Sequence, residues 1–202
     1  MKTPWDTFFE EKVTKIFTEK KLIIDIGGGL RIDDKRQNRK SRNSWITKFL
    51  PNVEYKILDK VPDYNPDYVG DVHKLPFADN SVDAIFAICL LEHVEEPQVA
   101  VKEIYRVLKP GGYCFVHVPF LFSFHPMKGY YDDFYRFTSS GMKYLMRDFK
   151  NIELQNRRGA LATVAHLVPP LVPFEKIFVW LDSLISKTNT EQTSEYMVFA
   201  QK

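Results

Sequence analysis

The chain has 202 residues, with 28 Lys and Arg against 26 Asp and Glu, a formal net charge of +2, 45% hydrophobic and 14% aromatic residues. This length fits one globular domain, 1–202, and the hydrophobic share excludes a disordered polymer. So even a charge balance speaks against a dedicated nucleic-acid binder, whose domain would be strongly basic. The opening "MKTPWDTFFEEKVTKIF" is too polar and acidic for a signal peptide, and no run approaches the ~18 apolar residues of a spanning helix. A cytoplasmic protein is expected, with Cys89 and Cys114 as reduced core thiols.

In chain order, "LIIDI" (22–26) reads as a central parallel strand buried on both faces, and it runs straight into Gly27, Gly28 and Gly29. A basic stretch follows, then a short helix around Ser44–Leu50. Strands are expected at 54–59, 67–71 and 82–90. Residues 96–108 carry an apolar stripe at Val101, Ile104, Val107 and Leu108, with Pro97 near the start and Gly111 and Gly112 after the end, which predicts a helix. A fifth strand at 113–120 leads into an aromatic connection, 121–138. A helix at 139–149, a sixth strand at 151–156, an insertion with a helix near 174–186 and a closing strand at 195–201 complete the pattern. Alternating strands and helices predict an α/β domain with a mostly parallel sheet, its last strand added antiparallel.

A strand ending in glycines is the usual receptor for a small ligand in such sheets. A dinucleotide site would place a third glycine where Ile32 stands, and an acid about 20 residues on; the first acid at a second strand tip is Asp59, 34 positions after Asp25. Those departures disfavour a nicotinamide-dependent reductase.

Asp25 ahead of the glycines resembles the first motif, acid-x-G-x-G, of class I S-adenosylmethionine-dependent methyltransferases. "ILD" (57–59), "GDVHKLPFADNSVDAIFAICLLEHV" (70–94) and "YRVLKPGGYCFVHVP" (105–119) are similar to that family's further motifs, in order, in the type 11-like branch that includes quinone-biosynthesis enzymes. The resemblance covers about residues 20–155 and implies a Rossmann-like, seven-stranded, mostly parallel sheet with an antiparallel last strand and helices on both faces. It implies S-adenosyl-L-methionine as cofactor, with 20–120 as the binding core and 121–138 and 157–194 covering the acceptor.

By that resemblance Gly27–Gly29 let the main chain approach the methionine end, which Asp25 helps bind, often through water or neighbouring main chain, aided by the N-terminus of a following helix. Asp59, with Lys60 beside it, takes the ribose diol, since an ionised carboxylate has two acceptor oxygens. Asp71, with Val72 and His73, takes the adenine, and Cys89 and Leu90 line the floor near the sulfonium.

Methyl transfer is an in-line displacement that needs a base only when the acceptor must lose a proton. Candidates are His93, His125, Tyr131 and Asp132, with Tyr135 orienting the acceptor and Arg136 pairing with its carboxylate or, in a purely structural lid, with Asp132. His125 lies in "FHPMKGYYDDFYRFT", similar to a signature in a bacterial subset of these enzymes. No metal site is expected. Phe120, Phe122, Phe124 and Phe134 read as core and lid packing.

"PFEKIFVWLDSLI" puts Phe174, Ile177, Phe178, Leu181, Leu184 and Ile185 on one helical face behind Pro173. A cover over the acceptor pocket, a homodimer interface and a shallow membrane contact all remain open for it. Seven Lys or Arg between Arg31 and Lys48 read as a solvated loop or as a site for an anionic acceptor. The expected function is methyl transfer, at oxygen by analogy, to a small or lipid/glycan-linked acceptor; the rival is a scaffold that binds the cofactor without turnover.

Overall fold

The computed structural model describes residues 2–32 and 43–202. Seven strands, β1 (Leu22–Ile26), β2 (Glu54–Asp59), β3 (Tyr68–Val69), β4 (Val82–Ile88), β5 (Leu108–Pro119), β6 (Lys150–Asn156) and β7 (Glu195–Gln201), form one sheet in the order β3-β2-β1-β4-β5-β7-β6. β1 to β5 pair in parallel, while β7 runs antiparallel to both β5 and β6. The strand order reverses between β1 and β4, which opens a crevice beyond their carboxyl ends.

Each face of the sheet carries its own core. On one side α2 (Pro97–Val107) and α3 (Ser139–Leu145) cover Ile24, Ile26, Ile85 and Val116. On the other, α1 (Pro4–Glu19) lays Trp5, Val13, Ile16 and Phe17 over Ile23, Phe86 and Phe115. Helix α1 has no counterpart in the sequence reading. It starts with a capping box, Thr3 and Asp6 each accepting from the other's backbone N–H at 3.2 Å, with Pro4 preorganised in the first turn.

Several boundaries differ from expectation for local reasons. Residues Ser44–Asn52 form a 3-10 helix rather than an α-helix, with Pro51 inside it unable to donate a backbone bond. β4 stops at Ile88 because Cys89 turns to φ 49, and β5 begins at Leu108, which pairs with Val82. Helix α3 is shorter than 139–149; Met146 and Phe149 close it with a tight turn.

The insertion holds two helices, α4 (Ala160–Leu167) and α5 (Glu175–Leu184), and only α5 was expected. Pro173 belongs to the 3-10 turn Pro169–Phe174 between them, not to the first turn of α5. Asp182, wholly buried, caps α4 by accepting from the N–H groups of Leu161 at 2.8 Å and Ala162 at 2.9 Å. Most of the basic stretch after Arg31 lies outside the described residues.

Candidate active site

A cavity of about 1030 Å³ opens over the carboxyl ends of β1, β2, β4 and β5. One end is built by the glycine loop. Gly27 and Gly28 adopt φ 79 and 60, the left-handed region that a side chain strains. Gly29 has ordinary φ but no room: a Cβ there would sit 2.5 Å from Ile88 Cβ and 2.7 Å from Ile88 O. The main chain is therefore pressed against the tip of β4, leaving the crevice clear above it.

Asp25 does not line this cavity. It is fully buried and its carboxylate accepts from Gly29 N at 3.1 Å, Leu30 N at 2.9 Å and the Tyr55 hydroxyl at 2.6 Å. The acid fixes the loop from beneath, a carboxylate being the one short side chain able to take three donors at once. Asp25 thus acts on the glycine loop through neighbouring main chain and not by facing the cavity itself. No helix N-terminus meets the cavity behind the glycines among the described residues, and the first two N–H groups that could have done so are spent on Asp25. Arg31, which the sequence reading gave to the basic stretch, lines the cavity instead.

Asp59 sits at the tip of β2 with its Oδ1 accepting from Val61 N at 3.0 Å; Asp59 and Lys60 both line the cavity. Asp71, Val72 and His73 form the next stretch of wall. His73 Nδ1 lies 2.6 Å from Asp71 Oδ1, and its Nε2 accepts from Glu96 N at 3.3 Å, so Nδ1 carries the proton in the neutral ring. Burial would raise the Asp71 carboxyl, but the His73 backbone and ring outweigh it and hold it below its ordinary value.

Cys89 and Leu90 form the floor. Cys89 is open to the cavity, whereas Cys114 is buried in β5, so only Cys114 is a core thiol. In the depth of the cavity desolvation pushes the Cys89 thiol up, with Glu92 and Glu195 adding to the effect.

The far end is built by the short 3-10 turn Leu91–His93 and the connection after β5. Main-chain bonds from Phe134 N and Tyr135 N to Glu92 O, and a side-chain bond from the Tyr135 hydroxyl to Glu95 O, tie the two together. The His93 ring packs on Tyr131 at 4.3 Å and edge-on to His125 at 5.0 Å between centroids. His93 Nδ1 lies 2.6 Å from Asp132 O, and His125 Nδ1 lies 2.9 Å from Ser123 O. His125 also takes the Asp133 carboxylate through its backbone N–H at 2.7 Å. Its ring pKa is raised, chiefly by the Glu92 carboxylate 3.8 Å from Nε2.

Two expectations change here. Asp132 is exposed and offers its carbonyl, not its carboxylate, to the site. Arg136 grips Asp133 through both carboxylate oxygens and the carbonyls of Phe122 and Ser123, so it fastens the lid rather than meeting an acceptor. Phe122 lines the cavity, while Phe124 and Phe134 are exposed, which is not core packing.

Sequence reasoning missed Glu92, Arg157 and Glu195, all lining the cavity. Glu195 pairs with Arg157 at 2.9 Å and with Arg158 at 2.5 Å, and its Oε1 lies 3.3 Å from His117 Nε2. The "LLEHV" motif drew attention to His93; its neighbour Glu92 carries the same signal. Of the insertion 157–194, Arg157 lines the cavity and residues 158–194 do not. A further, indirect link runs through the His166 ring 5.1 Å from that of Phe122.

The sheet order and the glycine loop at its reversal define the fold of the class I S-adenosylmethionine-dependent methyltransferases. Residues 46–116, about a third of the chain, match the family model described as a methyltransferase domain. The chain is 33% identical over 123 residues to the ubiquinone/menaquinone biosynthesis C-methyltransferase UbiE of Chromobacterium violaceum, covering 58% of this chain and 50% of that one. It is 39% identical over 101 residues to cycloartenol-C-24-methyltransferase 1 of Oryza sativa subsp. japonica, covering 46% of this chain and 28% of the relative. The chain thus spans half or less of the length of these curated relatives. Among solved structures it superposes on a SAM-dependent methyltransferase from Archaeoglobus fulgidus with a TM-score of 0.60 and 12% identity, covering 96% of this chain and 94% of that one. No helix among the described residues is long and apolar enough to cross a membrane.

Proposed function

We propose that the chain transfers a methyl group from S-adenosyl-L-methionine to an ionisable oxygen of a small or lipid/glycan-linked acceptor. One observation carries the reading: a single cavity has a glycine loop and two strand-tip acids at one end and two imidazoles at the other. Its volume of about 1030 Å³ exceeds the usual ~300–1,000 Å³ of a small-molecule site, enough for a nucleoside cofactor beside an acceptor.

The residues suit that cofactor. The tight approach of Gly29 to Ile88 and the turned-out main chain of Gly27 make a cradle that a Cβ would fill or strain. Asp59 would accept from the ribose hydroxyls, Asp71 would face the adenine edge and Arg31 the carboxylate. When bound, the cofactor supplies an electrophilic methyl on a good leaving group. The chain aligns the acceptor, excludes water and polarises the acceptor's proton at the His93–His125 end. Val72, Leu90 and Val94 give the centre of the cavity an apolar wall.

The acceptor class draws on the outer face of the insertion. Phe174, Ile177, Trp180, Leu184 and Ile185 are about half exposed or more, and the only exposed charges between residues 172 and 187 are Lys176 and Lys187. An exposed apolar face flanked by two lysines suits an anionic lipid surface that presents an amphiphilic acceptor.

A thermal-shift panel tests the cofactor. S-adenosylhomocysteine should raise the melting temperature while NAD(H) and NADP(H) leave it unchanged; the reverse ordering ends the methyltransferase reading. Turnover of S-adenosylmethionine with cell extract, followed by mass analysis of the product, separates an enzyme from a scaffold and O-methylation from C-methylation.

A further inference from the structure

Glu92 poses a problem of physical chemistry. Its side chain is wholly buried, and neither carboxylate oxygen has a hydrogen-bond partner. A buried carboxylate without partners is among the costliest groups a fold can carry, and such groups are normally paired or bound to a metal. Glu92 Oε1 faces two ring nitrogens, His125 Nε2 at 3.8 Å and His93 Nε2 at 4.0 Å, both too far for hydrogen bonds.

The other side of each ring explains why those nitrogens are poised. A carbonyl oxygen can only accept, so Nδ1 of His93 must donate to Asp132 O and Nδ1 of His125 must donate to Ser123 O. In the neutral rings the lone pairs therefore sit on the two Nε2 atoms, turned toward Glu92. An imidazole whose second nitrogen donates to a backbone carbonyl is the usual arrangement of a metal-ligating histidine.

We propose that Glu92, His93 and His125 bind a divalent first-row transition ion at the acceptor end of the cavity. Their three ligating atoms lie within 4.8 Å of one another. With bonds of ~2.0–2.2 Å an ion holds neighbouring ligands about 3–3.5 Å apart, so the cluster closes by small rotations of the side chains. Asp133, whose Oδ2 lies 3.3 Å from His125 Nδ1, is paired with Arg136, which leaves the site the Glu92 carboxylate for a cation. Two imidazoles and one carboxylate favour zinc, cobalt, nickel or iron over magnesium or calcium, which prefer oxygen alone. Three protein ligands leave coordination positions open toward the cavity, where an acceptor hydroxyl would be polarised by the ion. This role rests on the methyl-transfer reading; the site itself does not.

A second trio, Cys89, His117 and Glu195, is also compact. It is the poorer site: Glu195 already binds Arg157 and Arg158, whose charges repel a cation.

The test is titration of chelator-treated protein with Co²⁺ without cofactor, read by visible absorption. One equivalent should give the d–d bands of a low-coordinate site. Glu92→Gln and His125→Ala should each weaken binding at least tenfold, while Cys89→Ser should bind as the parent does and no thiolate charge-transfer band should appear. The S-adenosylhomocysteine thermal shift of each variant certifies its fold, and it succeeds or fails independently of the metal titration. Absent d–d bands would mean that Glu92 simply pairs with a protonated histidine. That result, or unchanged binding in both variants, or loss only in Cys89→Ser, overturns the proposal.

Discussion

Replacing Gly29 by alanine should damage the site more than the same change at Gly27, although Gly27 has the more unusual backbone. At Gly27 the new methyl meets only Leu90 Cδ1 at 3.4 Å, an ordinary contact, and the cost is the left-handed φ of 79. That strain is worth about 1–2 kcal/mol. At Gly29 the backbone is unstrained, but the methyl would stand 2.5 Å from Ile88 Cβ and 2.7 Å from Ile88 O, and neither is the flexible end of a side chain. The loop or the tip of β4 must move. Overpacking of this kind costs about 1–3 kcal/mol, or some 2–4 °C of melting temperature per kcal/mol in a chain this size. The movement also falls where ligand binding is most sensitive, between the glycine loop and Cys89 on the cavity floor. Calorimetric titration with S-adenosylhomocysteine should show affinity falling roughly tenfold or more in Gly29→Ala, the equivalent of at least about 1.4 kcal/mol. The loss in Gly27→Ala should be smaller. Equal affinities for Gly29→Ala and the parent protein, with an unchanged melting temperature, would refute the argument that main-chain closeness builds this end of the cavity.

Asp59→Ala should weaken S-adenosylhomocysteine by about 1.5–3 kcal/mol, the worth of hydrogen bonds to a charged group, without unfolding the chain; unchanged binding would remove Asp59 from the cofactor site. His125→Ala should cut turnover ~10²–10⁴-fold with little change in cofactor affinity, and parallel losses in both would make its role structural. Burial would raise the Glu195 carboxyl, but Arg157, His117 and Arg158 overcome this and hold it well below its ordinary 4.5 in the folded chain. A depressed folded pKa means stability that is full above 4.5 and lost as pH falls toward the folded value, so urea midpoints should drop on acidification below 4.5 and Glu195→Gln should flatten that decline. The variant should also lose stability at neutral pH, by less than the ~3–5 kcal/mol of a fully broken buried pair, since Arg158 keeps its Glu175 partner; an equally steep acid decline in Glu195→Gln would assign it to other carboxyls. Trp180→Glu together with Ile177→Ser should abolish sedimentation with anionic vesicles while sparing the cofactor thermal shift; retained sedimentation would move the lipid contact elsewhere.

The sequence by itself determined the sheet and its ligand end. β1, β4 and β7 are short runs rich in branched and aromatic residues and buried on both faces, a pattern that survives without any knowledge of partners, and the glycines after Ile26 mark where one strand must stop. The same local grammar was present in α1, in its Thr3–Asp6 box and its apolar Trp5, Val13, Ile16 and Phe17, yet nothing local says that this helix covers a sheet face. Only the tertiary structure decided which way side chains and N–H groups turn. It sent Asp25 beneath the loop to hold Gly29 and Leu30, gave Arg136 to Asp133, left α5's apolar face outside and brought only Arg157 of the insertion to the cavity. It also brought Glu92, His93 and His125 together from segments about 30 residues apart. Strand and helix periods are fixed by neighbours along the chain, but the partner of a carboxylate is fixed by what packs across from it, and that information is not local.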